Sequence, residues 1–235
     1  LQFAIVFVAG IGLVTPLAIK AECPKVAERT ADTYYIVRSQ TSLEGVRMPQ
    51  TALAEAHMPT RIKFHFDPEK AVEVILYIAN RVTNPGFHRL SKILYFADRD
   101  HLAKYGRFIC GDSYVAMKHG PVPSGTYDIL KFVRGDDGLT CNAPHAKESF
   151  SVNDRKLFIP SKDANLDHFS ESEKECLDAP IAKFGKLSFG QLTKLSHDKA
   201  WDSADENEFI DVEQIVATLP DAEHLLEYLA NPYPD

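Results

Sequence analysis

Apolar residues recur at Val72, Ile75, Leu76 and Ala79, the three- and four-residue spacing of one helix face. Asp67-Pro68-Glu69 opens that helix, with Asp as N-cap, Pro at the first helical position and an acid in the first turn. The pattern predicts a helix to about Val82, broken by Asn84-Pro85-Gly86. A second helix is predicted over about His88 to Tyr105, with Leu90, Ile93, Leu94, Ala97, His101 and Leu102 as its buried stripe and Gly106 ending it. Arg89, Lys92, Asp98, Arg99, Asp100 and Lys104 fill the other faces, and a solvated surface laced with i,i+3 and i,i+4 pairs accounts for most of them.

The period then changes. Gly111-Asp112 reads as a turn and Tyr114–Met117 as a short extended piece. In Gly120-Pro121-Val122-Pro123 each proline fixes its own φ and disfavours helix at the residue before it, so the path is extended and rigid. Ser124 is the expected N-cap of a third helix through Tyr127, Ile129, Leu130, Phe132 and Val133, ending near Gly135. Gly135 to Gly138 is a loop. Ser149 to Val152 and Lys156 to Pro160 read as a hairpin joined by Asn153-Asp154-Arg155. Ser170-x-x-Glu173 is a capping box for a helix towards Phe184, which Pro180 is expected to kink or split and Gly185 to close. Ser188 caps a further helix through Leu192 and Leu195. A last amphipathic helix after Pro220 aligns Ala222, Leu225, Leu226 and Leu229. The fold class expected is mainly α with a small β element (α+β), without internal repeats.

The first 57 residues stand apart. Leu1–Ile19 is uncharged and just long enough to span a membrane, but Gly10, Gly12 and Pro16 weaken it as a helix. No positively charged region precedes it, as a secretory signal requires, and Glu22 before Cys23 fits a lipoprotein signal poorly. Met58 opens a stretch that reads as an ordinary cytosolic start. The division expected is therefore residues 1–57 as an N-terminal extension and residues 58–235 as the functional domain. The biological start is expected at Met58, with a genuine anchor or signal as the alternative.

The net charge of −7 argues against broad phosphate-backbone binding, so no nucleic-acid partner is expected. Cys23, Cys110, Cys141 and Cys176 are widely spaced, as in a reduced cytosolic protein. Cys141 with His145 is the nearest approach to a ligand pair, and no second pair completes a zinc site. GxSxG, HExxH, GxxxxGK[ST] and a GxGxxG after a strand are all absent. Neither cofactor nor metal is expected.

Lys92 to Lys131 reads KILYFADRDHLAKYGRFICGDSYVAMKHGPVPSGTYDILK. This order and spacing resembles the Panacea domain, the SocA-like antitoxin family, whose signature is a KLLYFAD-type helix followed by HLxKYGRxIxGDxYxAMxxGPVPxxxYDxLK. Phe184-Gly185-Lys186-Leu187-Ser188 through Leu192, Leu195, Ser196-His197 and Trp201 resembles a later family element, with Ser196 where the family often has Thr. The resemblance covers about Asp67 to Trp201. It implies a non-enzymatic, cytoplasmic antitoxin, found in bacteria and phages. Its partner would be a cognate toxin protein, encoded by an adjacent gene and neutralised by direct binding. A SocA-like proteolytic adaptor, delivering its toxin to a protease, is the alternative. A membrane partner enters only if residues 1–19 are genuine.

The candidate partner-binding residues are Tyr95, Asp98, Tyr105, Asp112, Tyr114, Lys118, His119, Pro121, Pro123, His197 and Trp201. Each carries a structural alternative. The prolines would serve equally as a rigid connector, and the tyrosines as core residues whose hydroxyls reach a partner. Asp98, Asp112 and His119 would form the site of a small hydrolase only if they converge in one pocket. His197 and Trp201 would share a face if their helix continues that far, with Trp201 either a core plug or an anchor for the partner.

Overall fold

A computed structural model describes residues 62–136, 143–153 and 157–231. The expectations for residues 1–57, for Cys141 and for the tips of the 135–138 and 153–155 loops lie wholly or partly outside the described residues. Helix α1 (Pro68–Ala79) starts as expected, with Asp67 Oδ1 accepting from the Lys70 amide, but ends at Ala79 rather than Val82. It is also not amphipathic in its setting. Every residue from Ala71 to Ala79 is buried, Glu73 included, because neighbours cover it on several sides. Glu73 stays satisfied by accepting from the Asn165 amide at 2.6 Å.

Helix α2 (Phe87–Tyr105) ends at Gly106 in the left-handed conformation. It is the long strut against which α5 (Glu171–Phe184), α6 (Phe189–Ser196) and a β-hairpin pack. Lys92 and Asp98 are not on a solvated face as the pattern suggested. Both are interior, because the hairpin crosses that side of the helix.

The hairpin pairs β1 (Tyr114–Met117) with β2 (Gly120–Pro123), antiparallel, with Ala116 opposite Pro121 and Tyr114 opposite Pro123. Its prolines sit where no donor is needed. Tyr114 and Ala116 direct their backbone bonds to the other side, where the Ile210 amide donates to Tyr114 O at 2.8 Å and the Ala116 amide to Glu208 O at 2.9 Å. Residues 207–210 thus run along the second edge of β1. The proline stretch, expected as an extended path, is therefore a paired strand.

Helix α3 (Ser124–Arg134) follows β2 directly. Next come α4 (Ala146–Ser149) and a second hairpin of β3 (Phe150–Val152) and β4 (Phe158–Pro160). Ser170 and Ser188 cap α5 and α6 in complete capping boxes with Glu173 and Gln191. Helix α5 continues through Pro180 without splitting, and in α6 Leu192 is buried whereas Leu195 is 49% exposed. Two short helices follow, α7 (Val212–Val216), which no periodicity announced, and α8 (Ala222–Ala230). The architecture is mainly α with two small antiparallel sheets, the α+β class expected.

One core surrounds α1. A second, built on Tyr95, Leu102, Phe108, Tyr114 and Ala116, is closed by Ala200, Ile210, Ile215, Val216 and the apolar face of α8. Among the described residues no helix is long and apolar enough to cross a membrane.

Candidate partner-binding face

The hairpin divides the candidate residues into an interior set and a surface set. Asp98 and Tyr114 are interior. Asp98 accepts from the Ile109 amide at 2.7 Å and from the Tyr114 hydroxyl at 2.6 Å. Burial pushes its carboxyl up to about 7, against the lowering effect of those two donors. Tyr95 is also buried, edge-on to Tyr114 with ring centroids 5.1 Å apart, and its hydroxyl donates to Asp198 Oδ2 at 2.9 Å. Pro121 and Pro123 are buried in β2.

Asp112 caps α3 from a distance. Its carboxylate accepts from the amides of Gly125 and Thr126, both at 2.8 Å, and from the Thr126 hydroxyl at 2.7 Å. Ser124, the expected cap, is the first helical residue, and its side chain makes no cap bond. Asp112 therefore supplies the acceptor for the orphan amides that a helix start leaves behind. Asp98 and Asp112 are thus committed to backbone and hydroxyl donors, while His119 is exposed in the β1–β2 turn. The three do not converge in one pocket. Tyr105 is 43% exposed but lies at the far end of α2, its ring 4.8 Å from that of His101.

The surface set gathers at the hairpin tip. Lys118 and His119 form the exposed turn. Behind it, the Trp201 indole donates to Met117 O at 2.9 Å. The His197 ring lies flat on Trp201, with centroids 3.7 Å apart and planes 5° from parallel. This stack does not come from a continuing helix, because α6 ends at Ser196. Asp198 makes it. One carboxylate oxygen accepts from the Trp201 amide at 3.0 Å, and the other holds Tyr95 and Arg99 on α2. The turn after α6 is thereby fastened to the strut and its rings are aimed at the hairpin.

Two further groups complete the face. Phe189, 51% exposed, is stacked on His88 at 3.8 Å and meets His119 edge-on at 5.1 Å. Beneath the turn, Lys92 donates to Pro121 O at 2.7 Å and has no carboxylate partner among the described residues, and burial lowers its amine to about 7. Burial also lowers His88, to about 4, and His197. Gly120 is obligatory here. Its φ is +98°, and a Cβ would stand 2.4 Å from Ser196 Oγ and 3.0 Å from Lys92 Nζ.

Sequence reasoning passed over His88, Lys92, Phe189 and Asp198. A signal for Lys92 existed. Lys92, Tyr95, Asp98 and Leu102 recur at three- and four-residue spacing, a second buried stripe hidden by its polar members.

Residues 90–202, which contain the hairpin, Asp98, Asp112, Asp198 and Trp201, match the family model described as antitoxin SocA-like, Panacea domain. This region of the chain is similar to the SocA-like Panacea domain. No curated protein and no solved structure matches the chain at a significant level. The matched residues run from the first turn of α2 through both hairpins, α3, α4, α5 and α6, whereas α1 precedes them and α7 and α8 follow them. The segment at 207–210 and the helices that close the second core lie outside the matched residues.

Proposed function

We propose that this protein is an antitoxin that neutralises a cognate protein toxin by direct binding, with the β1–β2 tip, His197 and Trp201 as the contact. The family supplies the antitoxin class. The observation that supports the face is the sorting of the candidate residues. Those with interior partners hold the hairpin and α3 in place, while Lys118 and His119 stand exposed, flanked by Phe189 and the His197–Trp201 pair. A rigid backbone carrying aromatic groups loses little entropy on association. Interior bonds of this kind fix a binding surface before the partner arrives, which is how a site without catalytic groups acquires affinity.

The test is co-expression of the full chain with the product of each flanking gene, followed by affinity capture and size-exclusion chromatography. Relief of toxicity with a stoichiometric complex supports the proposal, and His119→Glu with Trp201→Ala should abolish both. Disappearance of the toxin in the presence of a protease, without a stable complex, would turn the reading towards a proteolytic adaptor. The absence of any toxic neighbour relieved by this chain would refute neutralisation.

A further inference from the structure

The two sides of the β1–β2 hairpin differ in what they offer a further strand. On the β2 side, Pro121 and Pro123 carry no N–H, and the Pro121 carbonyl is taken by Lys92. On the β1 side, Val115 and Phe209 face each other without mutual hydrogen bonds, because the flanking bonds run from Ala116 N to Glu208 O and from Ile210 N to Tyr114 O. The N–H and C=O of Phe209 therefore point away from β1, and neither has a hydrogen-bond partner among the described residues. The Phe209 ring is 53% exposed, on the same side of the sheet as half-buried Val115. The sheet thus ends in an open edge with an exposed aromatic ring on it. The left-handed Asn207 before it, at φ +72°, and α7 after it keep this edge short.

The edge is also acidic. Asp202, Asp205, Glu206 and Glu208 are exposed, and none is in an ion pair among the described residues. Lys118 and Lys199 are the exposed cations of the adjoining turns, two against these four carboxylates. Ten of the 33 acidic residues lie between Asp202 and Asp235, where there is no Lys or Arg, so this segment carries −10 in a chain of net charge −7. Charged side chains on an edge keep like copies from pairing, and a second copy would bring the same acids against these. They attract a strand of the opposite sign.

We propose that this edge receives an extended basic segment of a protein partner. The segment's backbone pairs with the N–H and C=O of Phe209, an apolar side chain covers Phe209 and Val115, and Lys or Arg meets Asp205, Glu206 and Glu208. The inference rests on the antitoxin reading for the partner's being a toxin, and adds the chemistry of its contact: basic and apolar residues alternating in an extended stretch. The edge lies outside residues 90–202, so it is not part of what the family model describes. Charge complementarity there discriminates among partners, because an acidic segment is repelled from the same edge.

The probe is a synthetic peptide of alternating Lys and Val, titrated into the full chain and followed by backbone NMR, with an alternating Glu and Val peptide as control. The expected result is saturable binding of the basic peptide alone, with shifts concentrated at Val115, Glu208, Phe209 and Ile210 and slower hydrogen exchange at the Phe209 amide. Affinity should fall at least about tenfold in Glu206→Lys with Glu208→Lys and, separately, in Phe209→Ala. These side chains are exposed, so both variants should keep the parent's urea midpoint, and either one decides the question if the other does not fold. Equal binding of the two peptides would overturn the inference. So would binding that Phe209→Ala leaves unchanged, which would reduce the edge to a diffuse acidic surface. Concentration-dependent self-association lost in Phe209→Ala would make a second copy the occupant and overturn it as well. Saturable peptide binding with no toxic neighbour relieved would remove the neutralisation reading alone. Toxin captured equally by the parent and both variants would remove this inference alone.

Discussion

The Tyr114 hydroxyl donates to Asp98 Oδ2 across 2.6 Å, in a site that solvent does not reach, and so ties the first residue of the hairpin to the middle of α2. Asp98 also holds the Ile109 amide, which fixes the loop between them. Removing the carboxylate leaves both donors buried and unpartnered. Asp98→Ala should therefore destabilise the fold by about 2–5 kcal/mol, and Tyr114→Phe by about 1–3 kcal/mol. The double variant should cost clearly less than the sum, because the two share one interaction. Urea unfolding of the four proteins measures this, and additive losses would show that the bond contributes nothing of its own.

Asp112 and Ser124 offer a contrast between a distant cap and a local one. Asp112 accepts from two amides and a hydroxyl at the start of α3, whereas the Ser124 side chain makes no cap bond. Asp112→Ala should cost about 1–3 kcal/mol, and Ser124→Ala should stay within about 0.5 kcal/mol. Denaturant midpoints check both, and the reverse order would return the cap to Ser124.

Local rules read well wherever the partner lies within a few residues. Asp67 with Lys70, Ser170 with Glu173, Ser188 with Gln191 and Gly106 at the end of α2 were all legible, because each motif carries its own partner or its own φ. The class and the second hairpin followed from period and breakers, whereas at the first the extended pieces were legible but not their pairing. What failed was long-range. Whether Lys92 faces water depends on β2 lying over it, and whether α1 has a solvated side depends on what surrounds it. Asp112 reaches a helix that starts twelve residues later. The same ambiguity governed the candidate site: Asp98 and Asp112 are equally conspicuous as catalytic acids or as structural acceptors until their donors are known. Phe189 and His88 escaped notice because no short motif joins residues so far apart in sequence.

Asp98 and Lys92 bias stability against pH in opposite directions. Burial raises the Asp98 carboxyl to about 7, so its contribution is fully present below its unfolded value near 4 and is lost as the pH rises to 7. Burial lowers the Lys92 amine from 10.5 to about 7, so the folded protein resists its protonation and gains stability as the pH rises from 7 to 10.5. Urea midpoints of the parent, Asp98→Asn and Lys92→Met from pH 4 to 10 separate the two. Asp98→Asn should remove a falling limb between pH 4 and 7, and Lys92→Met a rising limb between pH 7 and 10. A Lys92→Met profile parallel to the parent above pH 7 would mean that the amine is charged throughout.

Trp201 is the only tryptophan in the chain, so its fluorescence reports on one place, the ground behind the hairpin tip. His197 lies flat on it at 3.7 Å, close enough for a protonated imidazole to quench the indole. Burial, with Lys92 and His119 nearby, lowers the His197 pKa, while Asp198 opposes that shift. The ring is therefore neutral at pH 7, and emission should fall with a midpoint below the ordinary histidine value of about 6.5. His197→Gln should abolish the transition, and Lys92→Met should raise its midpoint by removing a positive neighbour. The same signal monitors the face in a complex. A partner seated on the hairpin tip should change Trp201 emission at pH 7 in the parent and in His197→Gln alike, whereas one bound near Tyr105, at the far end of α2, should leave it unchanged.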